Sequence, residues 1–371
     1  MREKVKKLWK LCFSDNDEFI DMYFNLRYNS EVNVAIESGD EVIAALQMLP
    51  YPITFHGNSV PTAYISGACT HPDYRSRGVM RELLSQAFGR MYRNNIAFTT
   101  LIPAEPWLFG YYARVGYTTA FRYGKRTFHL PTSETDTSSP TSSAKTGWCF
   151  QAYTDYDEDV YQYMNRKMQE RPCCLQHTKA DFHVILADLN LSRGCIFTLS
   201  DEFGIAALAI VYPDEEASKL FINELFADTP EAERLLLTRI CQDMQAESLD
   251  IIMPPVKDQS AFDLGMIRII QAKPVLQLYA AAHPEEEMNI DLIDNELSAN
   301  NGYYYLNKGK CMYSHRRLPG AHERLTIGQL TEKVFASERA YMSLMLNLQG
   351  FPFPLRETIV VLNPAYVLAK V

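Results

Sequence analysis

The stretch from Tyr64 to Leu84 constrains the fold of this chain more than any other. Residues 64–70 read as a strand, Tyr64-Ile-Ser-Gly-Ala-Cys-Thr70, followed by the turn Arg75-Ser-Arg-Gly78 and then directly by a helix. In the helix Val79, Leu83, Ala87 and Met91 recur every four residues, and Met80, Leu84 and Phe88 widen the stripe. That periodicity buries one helical face against a sheet. A strand, a glycine-bearing turn and a helix start in this order aim several unpaired backbone N–H groups at one point. Gly78 lacks a Cβ, so a ligand can approach the backbone closely. Arg75 and Arg77 add charge suited to phosphate. The point suits a diphosphate. Without a ligand the same pattern is an ordinary αβ turn with exposed arginines.

Gly67 inside the strand signals a bulge or a close backbone approach. One consequence is that the backbone groups of Ala68 to Thr70 are left to pair with an extended arm, as an added strand would. The other is plain room for packing.

The second informative piece is Tyr111-Tyr-Ala-Arg-Val-Gly-Tyr117, a helix end closed by Gly116. Tyr112 shares a helical face with Leu108 and stands four residues before that glycine. A phenol there can donate a hydrogen bond to a departing thiolate, whose conjugate acid has a pKa of about 8.5 against ~10 for phenol. Tyr111 is the rival, and a core tyrosine is the plain alternative. The two pieces together suggest a coenzyme A site with a proton donor beside it.

An amine acceptor must lose a proton before attack, and a lysine-like amine is neutral only about once in two thousand at pH 7. Carboxylates that qualify as base are Asp15, Asp17, Glu18, Asp21, Glu105 and the terminal carboxylate of Val371. Asp17 also suits helix capping, and Asp15, Glu18 and Asp21 also suit a solvated face.

The formal charge of −9 argues against broad nucleic-acid binding and fits a cationic or amine substrate better. Cys173, Cys174, His177 and His183 match no zinc spacing, so no metal is expected. The eight cysteines lack a CxxC pair and read as free thiols of a reducing cytoplasm. The longest apolar run, Ile205 to Tyr212, is too short for a membrane span, which needs ~20 residues. Lys4, Lys6, Lys7 and Lys10 read as a solvated helix face.

Of the seventeen residues from Pro131 to Gly147, ten are Ser or Thr, which marks a linker. Before it the pattern reads α-β-β-α-β-α-β, with Ser14 as a helix N-cap, strands over 32–36 and 41–51, and a third strand over 60–70. After it come helices over 157–171 and 179–189, strands over 194–200, 204–212 and 219–226, a helix over 229–246 and a strand over 248–253. This second unit has no Arg-x-x-Gly turn and is assigned no cofactor. A third unit starts near His283, with a strand over 289–294, a hairpin turn at Asn300-Asn-Gly302 and a short helix after Leu325.

Ser66-Gly-Ala-Cys-Thr-His-Pro-Asp-Tyr-Arg-Ser-Arg-Gly-Val-Met80 resembles the acetyl-CoA motif Arg/Gln-x-x-Gly-x-Gly/Ala of GCN5-related N-acetyltransferases, with Met80 in place of the final small residue. Tyr112-Ala-Arg-Val-Gly-Tyr117 resembles the second motif of the enhanced-intracellular-survival (Eis) branch. The resemblance implies an α/β (α+β) fold in three parts: an acetyltransferase domain of mixed-sheet architecture (1–146), a degenerate copy (147–282) and a sterol-carrier-like domain (283–371). It implies acetyl-CoA held by Ala68, Cys69, Thr70, Arg75, Ser76, Arg77, Gly78, Val79 and Met80. Tyr112 would be the general acid and the carboxylate of Val371 the base. The expected reaction is direct acetyl transfer to a primary amine of a small cationic molecule, in a cytoplasmic homo-oligomer, hexamer or dimer. The competing expectations are a non-catalytic protein that binds acetyl-CoA and an apolar ligand, and a protein or peptide lysine acetyltransferase.

Overall fold

The computed structural model describes residues 1–130, 147–213, 220–256 and 260–336. Helices α1 (Arg2–Cys12) and α2 (Asp17–Leu26) precede strands β1 (Asn33–Ser38), β2 (Glu41–Pro50), β3 (Ile53–Phe55), β4 (Asn58–Val60) and β5 (Thr62–Thr70). Helix α3 (Val79–Arg93), strand β6 (Phe98–Leu101), helix α4 (Pro106–Ala113) and strand β7 (Thr118–His129) follow. The next stretch holds β8 (Cys149–Tyr153), α5 (Glu158–Gln169), α6 (Lys179–Leu191), β9 (Cys195–Asp201), β10 (Gly204–Pro213), β11 (Leu220–Ala227), α7 (Pro230–Asp243) and β12 (Ser248–Met253). Last come β13 (Phe262–Ile269), α8 (Ala272–Ala282), β14 (Met288–Ile293), β15 (Gly302–Asn307), β16 (Lys310–Ser314), β17 (Glu323–Thr326) and α9 (Ile327–Phe335). No helix among the described residues is long and apolar enough to cross a membrane.

One mixed sheet of eleven strands runs β1-β2-β5-β6-β13-β7-β12-β11-β10-β9-β8. Its continuity depends on β7 and β13. The first half of β7 pairs with β13, from Thr118↔Ile267 to Tyr123↔Phe262, and the second half pairs with β12, from Gly124↔Met253 to His129↔Ser248. Strand β13 lies between β6 and β7, so a strand from beyond residue 260 completes the sheet begun by the first 130 residues. Units successive in sequence are therefore interlocked in space. A separate sheet, β16-β15-β14-β17, carries the third unit.

Local sequence explains most of the element starts. The second helix is capped by Asn16, whose side chain accepts from Phe19 N, and not by Ser14 as its hydroxyl suggested. The expected strand over 60–70 is broken at Pro61, which has no N–H to give a ladder. Residues before it fold back as the β3–β4 hairpin. Thr178 and Asp181 form a capping box on α6, and Thr326 and Gln329 form one on α9. Strand β13 and helix α8 carried no clear sequence signal.

The two faces of the first half of the sheet are covered differently. Helices α1 and α2 bring Val5, Leu8, Trp9, Ile20, Tyr23 and Phe24 to one face. Helices α3 and α4 bring Leu83, Leu84, Phe88 and Tyr112 to the other, against Leu46, Ala63 and Ile65. The α1 lysines face out as expected, and Lys4, Lys6, Lys7 and Lys10 pair with Glu37, Asp21, Glu41 and Asp17. The segment 131–146 and the C-terminal residue Val371 lie outside the described residues.

Candidate active site

Strands β5 and β6 run parallel only from Thr62↔Phe98 to Tyr64↔Thr100. Strand β6 stops at Leu101 and turns towards α4, whereas β5 continues to Thr70. Among the described residues the edge of β5 that faced β6 has no strand partner beyond Tyr64, and the sheet opens there as a fork. Ala68, Cys69 and Thr70 lie on this free stretch. Their other edge pairs with β2 at Ala45↔Cys69 and Ala44↔Thr70. An extended chain can enter such a fork and pair with the open edge as an added strand would. The Thr70 carbonyl is already engaged, accepting from Arg75 Nε at 3.2 Å and from the Cys12 thiol at 3.4 Å.

Gly67 marks both a strand irregularity and a tight packing contact. Its backbone is left-handed, with φ of +61°, at the register shift between β2 and β5. A Cβ there would fall inside the Trp9 indole. Trp9 is buried and donates its indole N–H to Asp15 at 2.8 Å. Gly67→Ala is therefore expected to combine an unfavourable φ with a clash against a fixed ring, at a cost of about 2–3 kcal/mol. The loss is read as a fall in the urea midpoint, and a change below ~0.5 kcal/mol would contradict it.

After β5, a 3-10 turn over Pro72–Tyr74 leads to Arg75. Ser76 and Gly78 have φ of +58° and +80°, whereas the backbone of Arg77 between them is not left-handed. Such alternation curls successive N–H groups into an anion-binding concavity. Gly78 is the N-cap of α3 and no side chain caps the helix. The first intrahelical donor is Glu82 N, to Gly78 O at 3.0 Å, so the amides before it point out of the helix start. Ser76, Arg77 and Gly78 are exposed, and Arg75, Val79 and Met80 are half-buried, Val79 and Met80 against the α3–α4 core. The Arg77 guanidinium lies over the Tyr74 ring at 5.5 Å. These residues meet the end of β5, so the curled turn and the fork are continuous.

Tyr112 projects from α4 into the core that holds Ala63 and Ile65, and is 7% exposed. Burial, first of all, pushes its phenol well above the usual value, and Tyr117, Tyr111 and Cys69 push in the same direction. Cys69 stands on the free stretch of β5, so the phenol is within electrostatic reach of the fork. Tyr111 is half-buried under the Arg114 guanidinium, at 5.6 Å. Helix α4 ends at Ala113 with Arg114 as its C-cap, three residues before the expected Gly116, which closes the following turn with φ of +91°; an added Cβ there would meet Ile327 Cγ2 at 2.6 Å and Arg268 Nε at 3.1 Å. The glycine that closes the tyrosine motif is thus also where α9 of the third unit docks.

Of the carboxylates proposed as base, Asp15 holds the Trp9 indole, Asp17 and Asp21 pair with lysines of α1, and Glu105 is the uncapping N-cap residue of α4. Cys173, Cys174 and His177 are buried, and His183 stacks on Tyr156.

Sequence reasoning missed three groups around this site. Glu296 of the third unit pairs with Arg81 of α3 at 2.8 Å, and Leu297 packs into the core that contains Tyr112. Tyr23 donates to Ser66 Oγ on β5 at 2.9 Å. Cys12 lies beside Cys69 and Arg75. The hydrogen bond from Cys69, with further help from Arg75, holds the Cys12 thiol down at about 7 against the cost of burial. The Cys69 thiol is correspondingly raised well above its usual value. Iodoacetamide should therefore label Cys12 with a midpoint near pH 7, while Cys69 stays unlabelled through pH 8. Peptide mass mapping reads both, and Arg75→Gln should move the Cys12 midpoint upward. None of these pairings has a local sequence signal.

Residues 2–120 match the family model described as an acetyltransferase (GNAT) domain. That range spans α1 to the start of β7 and includes the fork, the turn and Tyr112. Against curated protein sequences the chain finds no match. Among solved structures it is similar to a GCN5-related N-acetyltransferase from Anabaena variabilis ATCC 29413, with a TM-score of 0.68, 16% identity and cover of 92% of this chain and 96% of that one. A conserved protein from Enterococcus faecalis V583, described as a probable N-acyltransferase, gives 0.69, 15%, 89% and 86% on the same measures. Eis1 from Mycobacterium abscessus gives 0.65, 12%, 99% and 92%. At these identities the likeness is one of fold: a mixed α/β architecture with an acetyltransferase domain at its start.

Proposed function

We propose that this protein is an acetyl-CoA-dependent N-acetyltransferase that acetylates a primary amine of a small molecule by direct attack within a ternary complex. The observation that carries this reading is the open β5 edge running straight into an uncapped helix start. The amides around Gly78 to Arg81, with Arg75 and Arg77, would hold a diphosphate. The edge of β5 from Ile65 to Thr70 would hold an extended arm by backbone pairing. The cosubstrate supplies the acetyl group as a thioester.

In this reading Tyr112 acts chiefly as a hydrogen-bond donor to sulfur. Its raised pKa keeps the proton on oxygen at neutral pH, and full transfer to a thiolate of pKa about 8.5 would be uphill. A pre-aimed donor still stabilises charge developing on sulfur. The β5–β6 fork orients the two reactants, and holding them together is worth several kcal/mol, up to about 7–11 for ideal alignment. Deprotonation of the amine falls to a carboxylate, with the terminal carboxylate of Val371 and Glu105 as the proposed bases. The third unit, proposed to be sterol-carrier-like, borders the site through Glu296 and Leu297.

The test is incubation with acetyl-CoA and a mixture of polyamines, aminoglycosides, amino-carboxylates and peptides, read by mass spectrometry. The expected result is a product 42 mass units heavier, as acetylation requires, with equimolar free CoA. Binding of acetyl-CoA with no acetyl loss to any amine would refute the transferase reading.

A further inference from the structure

Two thiols meet where α1 ends against the open stretch of β5. Cys12 is the last residue of α1 and is half-buried. Cys69 is 6% exposed, in the core that Trp9, Tyr23 and Phe24 build on that face of the sheet. The two side chains are hydrogen-bonded through their sulfurs, and the Cys12 thiol also donates to Thr70 O at 3.4 Å. Both are free cysteines.

The pair is unequal in the properties that govern thiol exchange. Cys12 stands at the rim of the core, between the exposed residues Leu11 and Ser14. Cys69 and then Arg75 favour its thiolate and hold its pKa at about 7. Cys69 is enclosed, and its hydrogen bond with Cys12, with burial adding to it, keeps it protonated. Cys69 is fixed by its ladder pairing with Ala45, whereas Cys12 belongs to a helix end, which yields more readily. An accessible ionised thiol in contact with a buried one is the arrangement of an attacking and a resolving cysteine.

What the pair can control lies beside it. Cys69 and Thr70 are on the stretch of β5 that β6 leaves open, and Arg75 serves both thiol and turn. Its Nε donates to Thr70 O at 3.2 Å, and its charge favours the Cys12 thiolate. A thiolate there offsets part of the positive charge that the proposed diphosphate site draws on. Of the charged residues close to Cys12 in sequence, Lys10 pairs with Asp17, and Asp15 accepts from the Trp9 indole.

We propose that Cys12 and Cys69 are a redox modification site, at which a low-molecular-weight disulfide, RSSR, converts the two thiols into a Cys12–Cys69 disulfide and thereby strengthens coenzyme binding. The control of binding rests on the acetyltransferase reading, whereas the disulfide does not. The Cys12 thiolate attacks one sulfur of RSSR, forming Cys12–S–SR and releasing RS⁻. That RS⁻ takes the Cys69 proton and leaves as RSH. The Cys69 sulfur then attacks the Cys12 sulfur, which forms the protein disulfide and releases the second RS⁻. The two protein thiols are oxidised, and RSSR is reduced to two thiols; an added dithiol runs the exchange backwards. Cys12 carries no charge in the product, so the Arg75 charge is left to the phosphates.

Oxidised glutathione is the probe. After incubation at about pH 8, where Cys12 is ionised, peptide mapping should find the Cys12 and Cys69 peptides joined, and dithiothreitol should separate them. Cys69→Ser should stop at a glutathione adduct on Cys12. Calorimetry should find acetyl-CoA bound about three- to ten-fold more tightly by the oxidised protein than by the reduced one. Cys12→Ser, which carries no thiolate, should bind like the oxidised form with or without the oxidant. The comparison of oxidised and reduced protein needs no variant. Absence of the Cys12–Cys69 link after oxidation overturns the site. An affinity left unchanged or weakened by the link overturns its control of coenzyme binding. A link that forms in a protein binding acetyl-CoA in neither state removes the acetyltransferase reading, together with that control, and leaves the disulfide site standing.

Discussion

Replacing Asp294 with alanine is expected to destabilise the protein by about 3–5 kcal/mol, because it strands a buried cation. Arg268 and Asp294 have no exposed side-chain surface and pair at 2.6 Å. Arg268 also donates to Val115 O at 2.8 Å and Ile269 O at 2.7 Å, and lies 4.4 Å from the centre of the Phe88 ring. Asp294 Oδ1 accepts from the amides of Glu296 and Leu297, and its Oδ2 accepts from Asn300. Asn300 in turn bonds Ile270 O and Ala272 N. One network therefore ties the end of α4, strand β13 and the third unit together. Alanine removes the counter-charge and leaves a guanidinium and three further donors without their acceptor. Urea denaturation reads the loss. The Arg268→Met/Asp294→Leu pair should recover most of it, since no lone charge remains. A loss below ~1 kcal/mol for the single change would show that water or another group reaches the cation.

The second large effect is catalytic. Tyr112→Phe should lower kcat by about 10²–10³ while leaving the affinity for acetyl-CoA within about two-fold, because one donor to the leaving sulfur is lost and the ring stays packed. Tyr111→Phe should change kcat by less than about three-fold, a difference the two neighbouring side chains explain. Tyr112 is buried beside the β5 core, whereas Tyr111 is half-buried under Arg114. The raised pKa of Tyr112 has a pH consequence as well. The protonated phenol is the working form, so its contribution persists up to the raised pKa and fails only above it. No alkaline fall in rate below about pH 10 should therefore trace to Tyr112. A Tyr112→Phe enzyme that turns over a confirmed amine at the original rate would remove the residue from the chemistry.

What the sequence showed and what it hid follow from the range of the interactions. Helix α3 was legible because its stripe of Leu83, Leu84, Ala87, Phe88 and Met91 is a local periodicity. The Gly78 turn was legible because only glycine tolerates that backbone cheaply. The fork was half-legible: Gly67 marked an irregular strand, but the early end of β6 decides that the edge stays open. Strand β13 was invisible, because a short apolar run does not reveal that it will insert between two strands formed more than 130 residues earlier. Arg268 offered a faint cue, as a charge inside the apolar run Leu264-Gly-Met-Ile-Arg-Ile-Ile270. Its partner Asp294 had none. Ser14 misled because a hydroxyl before a helix is a good cap in general, and Asn16 is closer to where the chain turns. The Cys12–Cys69 pair depends on tertiary contact alone.

A crystal structure with acetyl-CoA bound would test the central claim most directly. The diphosphate should rest on the amides around Gly78 to Arg81, the pantetheine arm should pair with β5 beyond Tyr64, and the sulfur should lie within hydrogen-bonding distance of the Tyr112 hydroxyl. Density for the coenzyme anywhere else, with the β5–β6 fork unfilled, would contradict it.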